Sequence, residues 1–233
     1  MRNIWVSLAL ALFGTMAVAA EDGSLIVVEL YTSEGCASCP PADKLLAELS
    51  KRDDVLALAL HVDYWDYLGW KDIFSIAKFT DRQEYYNMVL GSKYRLVTPQ
   101  MIFQGQSYVA GARPKKVAAQ MESLEQQVDK VDLKVKKQGR DFSVSINPIG
   151  ADMPMADVFI VQYKPNVVTQ VKSGENRGKT LNHTNIVTSW ERVGSWDGER
   201  DWKISTSLAE GVYAAVIVQV EHSGPILAAR KLQ

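Results

Sequence analysis

The stretch LIVVELYTSEGCASCPPADKLLAEL, residues 25–49, decides the predicted fold. Its first part, 25–31, is a continuous apolar and β-branched run, which is typical of a strand buried on both faces of a sheet. Three leucines then recur at helical spacing after two prolines, and a first helical turn tolerates proline because its N–H groups have no intrahelical partner. The sequence therefore predicts a strand, a short loop and a helix, with Cys36 and Cys39 at the start of the helix.

Further predicted elements follow this unit along the chain. A second apolar run at 55–62 completes a strand–helix–strand unit with a right-handed crossover. An aromatic loop and a helical stretch fill 63–93, and two short strands and a helix follow. This order predicts an α/β thioredoxin-like domain with a helical insertion over 21–129. From residue 130 onward, short alternating runs separated by turn signals predict an all-β sandwich domain over 130–233.

Residues 1–20 are predicted to be a cleaved signal peptide. Arg2 supplies a positive start, 4–18 is nearly all apolar, and Ala-Val-Ala at 17–19 is a small-x-small cleavage site. The apolar run is shorter than the ~20 residues that span a bilayer. We therefore expect an exported protein, periplasmic or secreted, with no membrane association after signal cleavage.

The chain contains only two cysteines, and two residues separate them. A disulfide between them would close a very short loop and add little stability, so the pair is predicted to serve reactivity. A helix N-terminus favours a thiolate, and in a Cys-x-x-Cys turn the first sulfur is exposed and attacks while the second resolves the mixed disulfide. Cys36 is the predicted nucleophile and Cys39 the predicted resolving thiol of a thiol–disulfide oxidoreductase. No organic cofactor is expected, because the pair itself carries the electrons.

Three motifs resemble those of an exported thioredoxin-like family of unknown function, DUF 1223. They are YTSEGCxxCPPAD at 31–43, HVDYWDYLGWKD at 61–72 and TPQM at 98–101. The resemblance spans most of the mature chain; it implies the thioredoxin-like fold and, by analogy, the activity. It also implies that Pro99 is the cis-proline that faces the cysteines in such folds and that Thr98-Pro99 shapes the groove where a substrate chain docks.

Several other side chains are candidates for the same site. The aromatic residues of the second motif either wall a substrate groove or pack beneath the inserted helix; they are Tyr64, Trp65, Tyr67 and Trp70. Glu29 is the nearest candidate for a buried carboxylate beneath Cys39. It is displaced by one residue from the usual spacing, so the alternative is an acid at the edge of the core. His61 is either a proton shuttle or a structural histidine.

Two other function classes stay open. Soft thiolates and thioethers select Cu(I), so a copper-handling protein could use Cys36 and Cys39 with His61 or Met101. Alternatively, the β-domain and its polar loop at 173–183 form a binding or assembly module on an inert scaffold. Nucleic acid is excluded as a partner, because 26 basic and 27 acidic residues leave no basic stripe. The expected partners are exported proteins that contain cysteines, or a redox partner protein.

Overall fold

The structure is a computed structural model that describes residues 23–127 and 130–233. The predicted signal peptide at 1–20 lies outside the described residues. The structure is mostly β, with 44% strand and 18% helix. Its described helices are α1 (Pro40–Leu49), α2 (Ala77–Val89) and α3 (Pro114–Glu125), with a 3₁₀ turn at Asp66–Leu68. None of the helices in the described part of the chain is long and apolar enough to cross a bilayer.

Eleven strands are described, and they form two sheets. The strands are β1 (Ile26–Thr32), β2 (Val55–His61), β3 (Gln100–Phe103), β4 (Ser107–Ala110), β5 (Val131–Gln138), β6 (Asp141–Pro148), β7 (Ala156–Gln170), β8 (Thr180–Trp196), β9 (Trp202–Ser207), β10 (Tyr213–Val220) and β11 (Ile226–Leu232). The large sheet has the order β11-β10-β7-β8-β2-β1-β3-β4, and the small one has the order β5-β6-β9. β2 runs parallel to β1 and also to β8, where Ala59 pairs with Ile186. The other neighbours in both sheets are antiparallel.

The predicted fold class is wrong. The chain does not form a thioredoxin-like α/β domain with a helical insertion followed by an all-β sandwich, because one mixed eight-stranded sheet takes strands from both halves of the chain. Four strands from the second half, β7, β8, β10 and β11, continue the sheet that β1 to β4 begin. The alternating runs after residue 130 therefore belong mainly to one sheet covered on both faces. A unit boundary between residues 129 and 130 stays a prediction.

Alternation along β1 and β2 divides the large sheet into two faces. On the first face, Tyr31 and Leu58 pack with Phe79 and Tyr86 of α2 in a core that also contains β7 and β10 side chains such as Ile217. On the opposite face, α1 and α3 cover the β1–β4 end. The small sheet covers the β7–β10–β11 end of that same opposite face. The core on the first face thus contains side chains from both halves of the chain. Each large apolar side chain buried in it contributes about 1.5–3 kcal/mol to the stability of the fold.

Candidate functional site

Cys36 and Cys39 form a disulfide at the start of α1. Their Cα atoms are 5.4 Å apart, and Cys39 is the N-cap of the helix, followed by two prolines. The Cys39 carbonyl accepts hydrogen bonds from the N–H groups of Ala42 and Asp43, which closes the first turn. The location matches the sequence prediction. The roles of Cys36 as nucleophile and Cys39 as resolving thiol stay predictions.

The expected exposure of Cys36 is wrong for this conformation. Both cysteines are fully buried, with 0% of their surface exposed. On one side the turn is pressed against Trp65, since a Cβ added to Gly35 would lie 3.2 Å from the Trp65 Cβ atom. On another side Asn176, from the loop between β7 and β8, donates hydrogen bonds to the Cys36 carbonyl. The disulfide turn is therefore enclosed by segments from distant parts of the chain.

Five titratable side chains gather around the ends of β1 and β2 and the first turn of α1. They are Glu34, Asp43, His61, Asp72 and His183, which we name the acid–histidine cluster. His61 Nδ1 lies 2.7 Å from Asp72 Oδ2, and His183 Nε2 lies 3.2 Å from Glu34 Oε1. The two imidazole rings meet edge to face, with centroids 5.0 Å apart. The Glu34 N–H donates to Asp72 and so links the two pairs.

Burial and pairing compete at His61 and Asp72, and pairing dominates. Burial lowers the pKa of His61, but the hydrogen bond and charge of Asp72 raise it, and the net pKa lies above the ordinary value. Burial raises the pKa of Asp72, but the hydrogen bond and charge of His61 lower it to a net value below the ordinary one. The pair is thus a buried ion pair. His61 Nε2 has no hydrogen-bond partner among the described residues.

The other two carboxyl groups shift in opposite directions. Burial raises the pKa of Glu34, but hydrogen bonds from His183, Thr169 and Trp70 outweigh it and lower the net pKa. Burial also raises the pKa of Asp43, and here it exceeds the lowering effects of His61 and of the hydrogen bond from Thr32. Asp43, one helical turn after Cys39, is therefore the carboxyl group of the cluster whose net pKa is raised.

The predicted groove residues are only partly brought together. The Thr98–Pro99 peptide bond is cis, and the Trp65 indole N–H donates to the Thr98 hydroxyl at 2.8 Å. Trp70 donates instead to Glu34 of the acid–histidine cluster at 2.8 Å. Tyr64 donates to Gln83 of α2, and burial raises its pKa to about 12. The use of these residues as a substrate groove stays a prediction.

Comparison with known proteins identifies the family. The model of a family described as "Protein of unknown function (DUF1223)" matches residues 27–220. The chain belongs to the DUF1223 family. The predicted resemblance to this family is thereby confirmed, whereas the thioredoxin-like attribution is not. No curated protein matches this DUF1223 protein.

Two solved structures are similar to the DUF1223 protein. Protein AGR_C_4864 from Agrobacterium tumefaciens is 31% identical, with a TM-score of 0.76, and the match covers 91% of this chain and 96% of that one. HBP35 of Porphyromonas gingivalis is 14% identical, with a TM-score of 0.61 and coverage of 90% and 74%. The second likeness concerns the fold alone.

Two predicted site residues of the DUF1223 protein, Glu29 and Met101, are packed in the interior. Glu29 does not approach the cysteines, because it lies on the α2 face of the sheet and pairs with Arg82 at 2.8 Å. Met101 is buried in the core under α1 and α3. No group of three or more His, Cys, Asp and Glu side chains in the described ranges is arranged to hold a metal ion. Copper handling stays an untested alternative.

The sequence prediction missed the contribution of the β7–β8 hairpin. This hairpin delivers Thr169 and His183 to Glu34, and its loop delivers Glu175 and Asn176 to the disulfide turn. The stretch 173–183 stood out in the sequence as a polar, glycine-containing loop and a candidate binding element, and in the structure its last residues begin β8. The position of this loop in the fold depends on contacts between residues about 140 positions apart, which no local sequence pattern encodes.

Proposed function

We propose that this protein is an exported thiol–disulfide oxidoreductase that exchanges its Cys36–Cys39 disulfide with cysteines of other proteins. The observation that carries the proposal is the disulfide closed across the start of α1 beside the acid–histidine cluster. A cross-link over so few residues adds little stability. The helix start, by contrast, stabilises a thiolate and so favours reversible opening. The disulfide and the absence of a spanning helix from the described residues are compatible with export.

The exchange is a two-step transfer of electrons. A substrate thiolate attacks the Cys36 sulfur, the bond to Cys39 breaks, and Cys39 leaves as a thiolate that takes up a proton. A second substrate thiolate then attacks the substrate sulfur of the mixed disulfide and releases Cys36. The substrate loses two electrons and two protons, and the protein gains them. The same steps in reverse reduce a substrate disulfide.

Asp43 is the group that we assign to proton exchange with Cys39. It lies four residues after Cys39 on α1, so the two residues share a helix face. Burial raises the pKa of its carboxyl group, and a carboxyl group with a raised pKa is better matched to proton exchange with a thiol. We therefore assign to Asp43 the role for which Glu29 was the predicted candidate.

The test of the proposed function is to trap its intermediate. With Cys39→Ala, Cys36 can attack a substrate disulfide but nothing releases the adduct, so reducible high-mass species should accumulate. They should vanish in the Cys36→Ala/Cys39→Ala double variant, because the chain has no other cysteine. Non-reducing electrophoresis and mass spectrometry of the exported fraction measure both outcomes. Absence of adducts, together with equal loss of bound copper from both single cysteine variants, would overturn the proposal.

A further inference from the structure

The loop between β7 and β8 binds the disulfide turn through its side chains. We name Ser173–Gly178 the cap. Asn176 Nδ2 donates to the Glu34 carbonyl at 2.8 Å and to the Cys36 carbonyl at 2.9 Å. Glu175 accepts a hydrogen bond from the Ala37 N–H at 3.3 Å. All three backbone groups in these contacts belong to residues 34–37. The cap therefore binds the disulfide turn itself.

Asn176 is the anchor of the cap. It is fully buried, although its neighbours on both sides are exposed. Its carboxamide oxygen accepts from Lys179, so all of its hydrogen-bonding capacity apart from one lone pair is used. The cap is also pressed against the neighbouring aromatic loop, because Gly174 has a φ of +73° and a Cβ there would lie 3.2 Å from the Trp70 Cβ atom. The cap is thus one of the segments that enclose the turn, in which neither cysteine has exposed surface.

The enclosed disulfide is inaccessible to the exchange chemistry. Thiol–disulfide exchange requires a third sulfur to approach the attacked sulfur directly. Neither Cys36 nor Cys39 offers any exposed surface to such a group. A protein thiol therefore reaches Cys36 only after a segment that encloses the turn has moved, and the cap is such a segment.

The distal part of the β7–β8 hairpin, which carries the cap and which we name the distal arm, has few strand partners. β10 pairs with β7 only as far as Tyr163, so residues 164–170 of β7 pair with β8 alone. On its other side, β8 pairs with β2 at a single position, Ile186. The distal arm is thus a two-stranded ribbon, which is marginally stable in isolation. It is held by the contact of His183 with Glu34 and by the docking of the cap. Within the cap, backbone hydrogen bonds such as Arg177 N–H to Gly174 O keep the turn together as it moves.

Charge links the position of the cap to the redox state of the cysteines. In the closed form, the Glu175 carboxylate occupies the Ala37 N–H, one of the donors at the helix start that would stabilise a Cys36 thiolate. A thiolate and a carboxylate at this turn compete for the same donor and repel each other. Closure of the cap therefore favours the disulfide, and by linkage the reduction of the disulfide favours an open cap.

We propose that the cap is a redox-linked gate over Cys36, closed on the disulfide and displaced when a partner protein delivers its thiol. Displacement frees the Glu34 and Cys36 carbonyls, which then accept N–H groups from an extended backbone segment beside the partner's cysteine. This inference rests on the proposed function, because it assigns regulation and partner recognition to the same disulfide.

The test is the rate at which dithiothreitol reduces the disulfide, measured by alkylation and intact mass at fixed pH. Asn176→Ala should be reduced at least about tenfold faster than the wild-type protein, because the anchor is lost. Asn182→Ala is the matched control, since this exposed asparagine lies on the same hairpin but outside the cap, and its rate should equal that of the wild type. Equal rates for folded Asn176→Ala and wild type would overturn the gate.

A second variant and a second measurement keep the test decisive if Asn176→Ala misfolds. Glu175→Gln should shift the equilibrium with glutathione toward the dithiol by about threefold to tenfold, whereas Glu210→Gln, an exposed glutamate in another turn, should not. Hydrogen exchange of 173–178 should accelerate when wild-type protein is reduced. Unchanged exchange or an unchanged equilibrium would overturn the linkage between cap and redox state.

Failure of the gate and failure of the proposed function are distinguishable. Faster reduction of Asn176→Ala by dithiothreitol, without any trapped partner for Cys39→Ala, supports the gate and removes the oxidoreductase function. Trapped partners combined with equal reduction rates support the function and remove the gate.

Discussion

At the scale of single residues, the site combines a disulfide with buried charges that the sequence places far apart. Glu34, Asp72 and His61 are buried within a few ångströms of one another, and each charge is compensated by a hydrogen bond. Buried carboxylates and imidazoles are costly unless they are paired in this way. The pairing therefore makes the cluster sensitive to the loss of any one member, whereas Asp43 is the member carboxyl whose net pKa burial raises.

Asp43→Asn tests the assigned proton exchange. In single turnovers of the reduced protein with a disulfide, the step in which Cys39 attacks should slow by about 100-fold, because a general base is removed. In the wild type this rate should rise as pH passes through the raised pKa of Asp43, and the variant should lose that rise. Asp53→Asn, an exposed carboxylate, is the control. An unchanged pH profile in Asp43→Asn would contradict the assignment.

His61→Gln tests the buried ion pair through the pH dependence of stability. The pKa of His61 is raised on folding, so its contribution is complete below the unfolded value near 6.5 and is lost as pH rises through the folded pKa. The pKa of Asp72 is lowered, so its contribution is complete above the unfolded value near 3.8 and is lost as pH falls through the folded pKa. Between these limits, the variant should lose about 3–5 kcal/mol of unfolding free energy.

Urea denaturation at pH 5 and pH 9 measures this effect. The difference between wild type and His61→Gln should be larger at pH 5. The exposed Asp132–Lys134 pair is the comparison, because removing it by Asp132→Asn should cost less than about 1 kcal/mol. A larger difference at pH 9 would show that His61 is not held as a cation.

At the scale of elements, the two faces of the large sheet carry different polar groups. α1 carries the disulfide on one face. α2 covers the other, where Arg82 pairs with Glu29, stacks on Trp190 with its guanidinium carbon 3.9 Å from the ring centroid, and donates a hydrogen bond to the Tyr86 hydroxyl. The sheet itself separates the ion pair of α2 from the disulfide at the start of α1.

Arg82→Met should therefore destabilise the protein without changing its redox chemistry. Removing the guanidinium leaves the Glu29 carboxylate buried and unpaired, which should cost about 3–5 kcal/mol of unfolding free energy. The reduction potential of the Cys36–Cys39 couple should stay the same. The double variant Arg82→Met/Glu29→Gln should recover part of the lost stability in urea titrations. A shifted potential would mean that the two faces communicate.

Local patterns predicted the elements around the cysteines but not the hairpin that covers them. The prolines and leucines at 40–49 predicted α1, and the apolar run at 55–62 predicted β2, because both signals are local. The runs at 158–163 and 186–193 are only parts of β7 and β8. The distal half of β7, 164–170, alternates between exposed and half-buried residues and offers no apolar face to detect. The place of β8 beside β2 is a non-local choice that periodicity does not encode.

At the scale of the whole molecule, one sheet and one continuous core connect both ends of the chain. The core on the α2 face includes Leu58 of β2, Val187 of β8 and Ala229 of β11. The Leu25 N–H, just before β1, also donates to the Ala229 carbonyl of β11, so the segment that leads into the first described strand contacts the last one. Loss of either half of the chain would expose the core of the other to water.

Unfolding of residues 21–233 should therefore be a single cooperative transition. Near-ultraviolet and far-ultraviolet circular dichroism should give the same midpoint in urea, as expected for two-state behaviour. A fragment of residues 21–129 should lack a cooperative transition, because β2 loses its neighbour β8. Two separate transitions, or a cooperatively folded fragment, would instead support independent units on either side of residue 130.

The sequence separation between the cysteines and the cap has a consequence for biosynthesis. Asn176 follows Cys36 by 140 positions, and a chain is synthesised from its N-terminus. Both cysteines therefore leave the ribosome before the hairpin that helps to enclose them in the folded protein. On the proposed function, an oxidant can reach the two thiols during that interval without obstruction by the hairpin. We therefore expect the disulfide to form before the hairpin docks on it.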